Sequence, residues 1–304
     1  MRDFSVNLNP LGTPKFVEEL LAEAVREGVH RVYPDDYRPL KETIGELYDV
    51  PPESVGVFNG ATQALLLLPP SRVPEPNFSE YRRSQSYLAL EEEDEFRYPL
   101  QGDRVITGNP VNPTGSPLDE EDVISFLSSG GVLTLDESFA DISPVRRHAK
   151  LTQEFENLLV VSSLTKMLAV PGLRIGITLG YASSQLEKLA GPWRVNSLIY
   201  YVLVNASVKE VKNFIDRSRE RVSQLLAKVV RCPLVPYRSS APFFLARSPI
   251  PASVLNHELR KRGFVVRDAS DFIGLSPRHV RVALRDDLDD LCIAISEVLT
   301  DPPI

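Results

Sequence analysis

The stretch Leu158-Leu-Val-Val-Ser-Ser-Leu-Thr-Lys-Met-Leu-Ala-Val-Pro-Gly-Leu-Arg-Ile-Gly-Ile177 reads as two buried strands joined by a turn that carries a lysine. The first strand runs into Ser162, Ser163, Thr165 and Lys166, and the second apolar run starts at Arg174, eight residues past the lysine. A lysine so placed lies at the end of a buried strand, among hydroxyls and near a permanent cation. That suits an amine that must be partly desolvated to act as a nucleophile while its neighbours hold a phosphate. Ser-Leu-Thr-Lys alone would equally describe a surface loop, because four-residue matches recur by chance. The other strand ends decide between the two readings.

Strands and helices alternate on both sides of this stretch. Val55-Gly-Val-Phe58 leads through Asn59-Gly-Ala-Thr-Gln63 into an apolar helical run to Leu68, a layout that points N–H groups and a helix start at an anion. A plain structural turn would look the same. Arg104-Val-Ile-Thr107 enters Gly108-Asn-Pro-Val-Asn-Pro-Thr-Gly115, a sharp loop that leaves the Asn112 amide free. Gly131-Val-Leu-Thr-Leu-Asp136 is a further strand closed by Asp136 and Glu137, and carboxylates there imply a cationic partner. Alternation through residues 55 to 180 predicts an α/β fold with a largely parallel sheet and helices on both faces.

The ends of the chain read differently. Asn7-Leu-Asn-Pro-Leu-Gly12 is a polar, turn-rich arm, followed by helices over Thr13 to Glu27 and through Leu40, Ile44 and Leu47. Pro69 to Pro76 is proline-rich, and Glu91-Glu-Glu-Asp-Glu95 reads as a solvated face. A long helix from Ser207 to about Val229 connects to a smaller α+β unit. That unit has strands at Pro242–Ala246, Phe264–Val266 and Val280–Leu284 and helices at Ala252–Arg262 and Asp287–Leu299.

Composition narrows the function. At 304 residues, with 43% hydrophobic and 25% charged side chains, the chain is an ordinary globular sequence with room for a large core. A formal charge of −7 argues against nucleic-acid binding, which needs a basic face. No apolar run approaches the roughly 18 residues of a membrane span, and Met1-Arg-Asp-Phe-Ser-Val-Asn7 lacks the apolar core of a signal peptide. Cys232 and Cys292 suggest neither a disulfide framework nor a metal site, so a soluble protein of the reducing cytoplasm is expected. His30, His148, His257 and His279 show no ligand spacing, which disfavours a metal enzyme. Val132-Leu-Thr-Leu-Asp-Glu137 resembles a Walker B strand, but no Gly-Lys pair exists to make a P-loop, and no G-x-G supports a dinucleotide site.

Polar groups near Asn59, Asn112, Asp136 and Ser163 close several strands, and in such sheets ligands gather at the carboxyl ends. A ligand using them all would bring a phosphate to Ala61, Thr62, Ser163, Thr165 and Arg174, a cationic ring nitrogen to Asp136 and an aldehyde to Lys166. Pyridoxal 5′-phosphate has all three.

Asn-Pro-x-Asn-Pro-Thr-Gly, Asp-Glu-x-Phe and Ser-x-Thr-Lys with Arg eight residues later together resemble the fold-type I pyridoxal-phosphate family, the aminotransferase class I and II group. The resemblance covers residues 3 to 290 and implies a mostly parallel, seven-stranded-type sheet with flanking helices. It further implies an N-terminal arm (1–35) joining the small domain, a large cofactor-binding domain (36–206) and a small C-terminal domain (207–304). Carried over by position, Lys166 forms the Schiff base, Asp136 meets the pyridine nitrogen and Asn112 the ring hydroxyl. Arg174, Ser163 and Thr165, with Ala61 and Thr62, take the phosphate; Phe78 stacks on the ring beside Tyr81. Tyr33 matches a tyrosine that reaches the cofactor of a neighbouring subunit, so a homodimer with shared sites is implied. Arg267 and Arg281 are implied substrate-anion ligands, as are Asn9 and Gly12 of the arm for substrate; Arg267 would equally form a structural salt bridge with an acid such as Asp268. The Phe139 position carries tyrosine in many relatives. Within the family, the opening Asp3-Phe-Ser-Val-Asn-Leu-Asn-Pro-Leu-Gly12 and Gly191-Pro-Trp-Arg-Val-Asn196 look most like threonine-phosphate decarboxylase of cobalamin synthesis, and histidinol-phosphate aminotransferase is next.

Overall fold

The computed structural model describes residues 1–300, so the last four residues of the expected C-terminal domain lie outside the described part. Along the chain the strands are β1 (Arg2–Phe4), β2 (Val55–Phe58), β3 (Ser71–Glu75), β4 (Arg83–Leu88), β5 (Leu90–Glu91), β6 (Phe96–Arg97) and β7 (Arg104–Gly108). They continue with β8 (Val132–Asp136), β9 (Leu158–Ser162), β10 (Gly176–Leu179), β11 (Val235–Pro236), β12 (Phe243–Arg247), β13 (Phe264–Asp268) and β14 (His279–Ala283). The α-helices are α1 (Lys15–Arg26), α2 (Arg38–Tyr48), α3 (Ala61–Leu67), α4 (Glu120–Ser128), α5 (Leu164–Met167), α6 (Ser183–Ala190), α7 (Ser197–Asn205), α8 (Val208–Leu226), α9 (Ala252–Lys261) and α10 (Leu288–Thr300).

Seven strands form the large sheet in the order β2-β10-β9-β8-β7-β3-β4. It is parallel from β9 to β4, and only β10 runs against its neighbours. The apolar runs of β8 and β9 are continuous because both faces are covered. Successive residues serve opposite layers: Val160 packs with Leu40, Ile44, Val202 and Phe214 on one face, whereas Leu159 and Val161 pack with Ala64, Leu65 and Leu186 on the other. The expected mostly parallel sheet with flanking helices is thus the observed one.

A five-stranded sheet, β1-β13-β14-β12-β11, forms the second unit. Its core joins Phe4 to Leu255, Phe264, Val280, Leu291 and Ile295. Helix α8 belongs to both cores. Val211, Phe214 and Ile215 near its start pack with the large sheet, and Val222 and Leu225 near its end with the small one.

Within the proline-rich stretch from Pro69 to Pro76, Ser71–Glu75 is an interior strand of the large sheet; it pairs parallel to β4 and β7 despite Pro74, which lacks a donor. Two expectations need correction. The acidic run is not simply solvated: Glu91 meets Arg247 and Tyr237, and Asp94 and Glu95 meet Arg238, so the β5–β6 hairpin is pinned to the small unit. Cys232 and Cys292 form a disulfide, because α10 packs beside the segment after α8 and brings their Cα atoms to 4.7 Å. Among the described residues no helix is long and apolar enough to cross a membrane, and no cluster of metal-ligating side chains occurs.

Candidate active site

The carboxyl ends of β7, β8 and β9 and the start of α3 open on one cavity of about 270 Å³. Ten of the expected residues line it: Lys166, Asp136, Asn112 and Arg174, then Ala61, Thr62 and Ser163, then Phe78, Tyr81 and Arg281. A larger cleft of about 800 Å³, between the β5–β6 hairpin and the residues after β11, carries none of them.

Asp136 ends β8 in a buried position. Its Oδ1 accepts from the backbone N–H and hydroxyl of Ser138, and its Oδ2 from the Tyr81 hydroxyl at 2.9 Å. No basic side chain among the described residues pairs with it within 4.0 Å, so the expected cation does not come from the protein around it. Burial raises its pKa, and the hydrogen bonds from Ser138 and Tyr81 oppose that rise. Neighbouring Glu137 points elsewhere, to His148 Nδ1 at 2.7 Å and to the Asn109 amide. That contact ties the loop bearing Asn112 to the end of β8.

Lys166 lies in the short helix α5, directly after the β9 carboxyl end. Its amine is drawn below the ordinary lysine value, first by burial, then by the charges of Arg281 and Arg174, with Asp136 pulling the other way. Its ammonium position is 6.0 Å from the centre of the Phe139 ring, which stands edge-on to Phe243. Arg281 reaches in from β14, 8% exposed. Its Nη1 donates to Asn112 Oδ1 at 2.6 Å and its Nη2 to the Ser5 carbonyl at 2.9 Å. Burial, and then the charge of Arg267, pull Arg281 down to about 10.

The anion end is built on close approach. Gly60, at φ 79° and ψ 155°, precedes α3, and a Cβ there would fall 2.6 Å from Arg174 Nη2. Gly176 on β10 lets that strand run flush beneath Gly60 and Ala61. Arg174 itself adopts φ 50°.

Five expected residues stand apart from the cavity. The Thr165 hydroxyl donates to the Ile175 carbonyl and accepts from the Ile175 N–H, so it braces the turn that carries Arg174. Asn9 is buried, and its amide nitrogen donates to the Met167 carbonyl and the Ser218 hydroxyl. Gly12 closes a turn back to the Asn9 carbonyl at φ 72°. Arg267 pairs with Asp271 and sits over the Phe272 ring. Tyr33 is 67% exposed and stacks on Trp193 at 4.7 Å between ring centres.

Three polar cavity residues escaped the reading of the sequence. Ser138 follows Asp136 in an Asp-x-Ser turn, the one local signal that could have marked it. Ser5 and Asn7 reach the cavity because β1 pairs with β13 and lays the following residues across it. No local pattern encodes that placement.

These groups fit pyridoxal 5′-phosphate. An amine with a depressed pKa suits the aldehyde, a buried carboxylate without a protein cation suits the ring nitrogen, and the Gly60–Arg174 cradle suits the phosphate. The model for aminotransferase class I and II matches residues 89–295. A provisionally named threonine-phosphate decarboxylase of Caldanaerobacter subterraneus subsp. tengcongensis is 30% identical over 94% of this chain and 87% of its own. A histidinol-phosphate aminotransferase of the same organism is 27% identical over 97% and 92%. The crystal structure of histidinol-phosphate aminotransferase from Clostridium acetobutylicum superposes with a TM-score of 0.84 at 24% identity, covering 99% of this chain and 100% of that one. The cavity and these likenesses agree, and the chain belongs to the aminotransferase class I and II family of pyridoxal-phosphate enzymes.

Proposed function

We propose that this enzyme decarboxylates L-threonine O-3-phosphate. The observation that carries the reading is the pairing of Arg267 with Arg281 as direct partners on antiparallel strands β13 and β14. Directly opposed residues project from the same face of a sheet, so two guanidinium groups face one region, Arg281 inside the cavity and Arg267 beyond it. Two cations suit a substrate with two anions, a carboxylate and a phosphate, and arginine binds either one bidentately. Histidinol phosphate offers only a phosphate, although its co-substrate 2-oxoglutarate brings two carboxylates, so the likeness to a threonine-phosphate decarboxylase adds the weight that separates the two readings. Likeness to the histidinol-phosphate aminotransferases supports transamination as the second reading.

When bound, the cofactor supplies an electron sink for the bond that breaks at the substrate α-carbon. In this reading Lys166 would hold the cofactor aldehyde and carry a proton to or from that carbon, tasks eased by its depressed pKa. Asp136 would hold a proton on the ring nitrogen, and the Asn112 amide nitrogen would donate to the ring oxygen. Arg174, Ser163 and the first N–H groups of α3, at Ala61 and Thr62, hold the phosphate, with Thr165 fixing Arg174 through Ile175. Phe78 would cover the ring, with Tyr81 standing edge-on to the Phe78 ring at 5.6 Å between ring centres. Arg281 sets the angle of the substrate carboxylate. Which substrate bond Arg281 and its neighbours present to the cofactor would decide between loss of carbon dioxide and transamination.

The exposed Tyr33–Trp193 stack supports a homodimer in which Tyr33 serves the partner's site; the cytoplasmic setting expected from the sequence is weakened by the Cys232–Cys292 disulfide, a bond rare in reducing compartments. Carbon dioxide release from the cofactor-loaded enzyme given L-threonine O-3-phosphate tests the reaction. Stoichiometric release with an amino-alcohol phosphate as product supports decarboxylation. Turnover of histidinol phosphate with 2-oxoglutarate, without carbon dioxide release from L-threonine O-3-phosphate, replaces it with the second reading.

A further inference from the structure

Glu137 is a buried carboxylate that the proposed chemistry leaves idle. It is 3% exposed and lies outside the cavity that its neighbour Asp136 lines. The His148 backbone N–H donates to its Oε1 at 3.1 Å and its Oε2 at 3.2 Å, His148 Nδ1 donates to Oε1 at 2.7 Å, and the Asn109 amide nitrogen donates to Oε1 at 3.1 Å. His148 is itself buried, and its Nε2 has no protein partner, so the ring engages the site through Nδ1 alone. Apolar packing in such a place is often the more stable choice, so a buried carboxylate–imidazole pair points to a task beyond filling space.

Asn109 shows what the pair holds. Its backbone N–H donates to the Asp136 carbonyl at 2.9 Å, its amide nitrogen to Glu137 and to the Arg146 carbonyl, and its Oδ1 accepts from the Leu118 N–H at 3.1 Å. Asn109 thereby draws residues 109 and 118 together as the neck of a loop and fastens that neck to the end of β8. Glu137 is a firm anchor, because its own N–H donates to the Val161 carbonyl of β9 at 2.7 Å. Inside the loop the Val111 N–H donates to the Ser116 carbonyl and the Gly115 N–H to the Val111 carbonyl. Such cross-bonding makes the loop one rigid piece, in which a shift at the neck reaches the tip. Asn112 lies in that piece, and its Oδ1 accepts from Arg281 Nη1 at 2.6 Å across the seam between the two sheets.

We propose that Glu137 and His148 are positioning residues that set Asn112. His148 aims the Glu137 carboxylate, Glu137 holds Asn109, and the cross-bonded loop carries that position to Asn112 and from it to Arg281. Neither member of the pair lines the cavity. The inference rests on the reading of Asn112 as a cofactor ligand and not on the choice between decarboxylation and transamination, because the pair acts before any substrate binds.

The test is a double-variant cycle read in cofactor binding, so the identity of the substrate does not enter. Full-length wild type, His148→Leu, His148→Asn, Asn112→Ala and the His148→Leu/Asn112→Ala pair are titrated with pyridoxal 5′-phosphate and followed by visible absorbance. Losing the Nδ1 hydrogen bond to a charged group should raise the cofactor dissociation constant about tenfold in His148→Leu. With Asn112→Ala already in place, the same change should alter it by less than about twofold, since an effect carried through Asn112 cannot be lost twice. His148→Asn, whose amide nitrogen can donate where Nδ1 does, should restore most of the affinity. Equal losses with and without Asn112 overturn the proposal and mark a packing role, as does an unchanged dissociation constant in His148→Leu. Asn112→Ala with wild-type affinity overturns the reading of Asn112 itself, and this chain of contacts with it. Should His148→Leu fail to fold, Asn109→Ala takes its place in the cycle: a loss confined to chains that keep Asn112 supports the proposal, and one that persists without Asn112 overturns it.

Discussion

The Tyr81 hydroxyl donates to Asp136 Oδ2 at 2.9 Å, so the carboxylate that faces the cavity is held from the side by a residue 55 positions earlier in the chain. Tyr81 fixes the orientation of the Asp136 carboxylate. Burial pushes the Asp136 pKa up while this hydrogen bond pulls it down. In Tyr81→Phe the carboxylate pKa should therefore rise, and the hold on a protonated ring nitrogen should slacken. We expect kcat to fall about tenfold and the cofactor dissociation constant to rise several-fold, with the fold intact. Equilibrium dialysis of the cofactor and steady-state kinetics check both; unchanged values would assign Tyr81 to packing alone.

Lys166 offers a test by pH. After burial, the charge of Arg281 does most to depress its amine, followed by that of Arg174. A lysine whose folded pKa is lowered becomes neutral, and so nucleophilic, at a lower pH than a free one. Arg281→Met should move the rate of cofactor capture by Lys166 toward alkaline pH, and Arg174→Met should do so by less. Stopped-flow absorbance across a pH series measures the midpoint. Lys166→Ala should abolish turnover while leaving the circular dichroism spectrum unchanged.

Gly60 holds a backbone conformation that side chains rarely adopt, and its missing Cβ makes room for Arg174. Gly60→Ala should cost about 1–3 kcal/mol in stability. It should also weaken the cofactor through displacement of Arg174, more than it weakens pyridoxal lacking the phosphate. Thermal melts and paired titrations with the two aldehydes give both answers.

The Cys232–Cys292 bond closes a loop over a sequence separation of 60. Cys292→Ala, or thorough reduction, should lower unfolding stability by about 2–4 kcal/mol. The loss should show in melting of the small sheet, and the cofactor's visible absorbance should be lost later than in a Gly60→Ala variant. Denaturant unfolding with and without reductant reads the difference.

Much of this architecture was legible because its signals are local. Val132–Asp136 and Leu158–Ser162 are apolar runs ended by polar residues, so both strands and the chemistry at their tips could be read together. Lys166, Asp136, Asn112 and Arg174 sit one or a few residues from such ends, and strand order brings them into one cavity. What the sequence does not show has a different cause. Ser71–Glu75 is a strand through partners on both sides, despite its proline. Thr165 has the hydroxyl a phosphate would need, but the Ile175 backbone takes it first. Asn7 and Asn9 look alike in Asn-Leu-Asn, and only the fold separates the unpaired amide from the paired one. Cys232 and Cys292 are joined by helix packing that leaves no trace in their spacing.

The pairing of β1 with β13 also sets a clock on synthesis. Residues 2–4 complete a sheet whose receiving strand, residues 264–266, emerges from the ribosome roughly 260 residues after them. At about 5–20 residues per second, that leaves the opening strand without its partner for some tens of seconds. Meanwhile the large sheet has all its strands by Leu179 and can assemble around its own core. The arm that roofs the cavity is thus among the last pieces to settle, and a nascent chain has a folded cofactor-sized hollow before it has a ceiling over it.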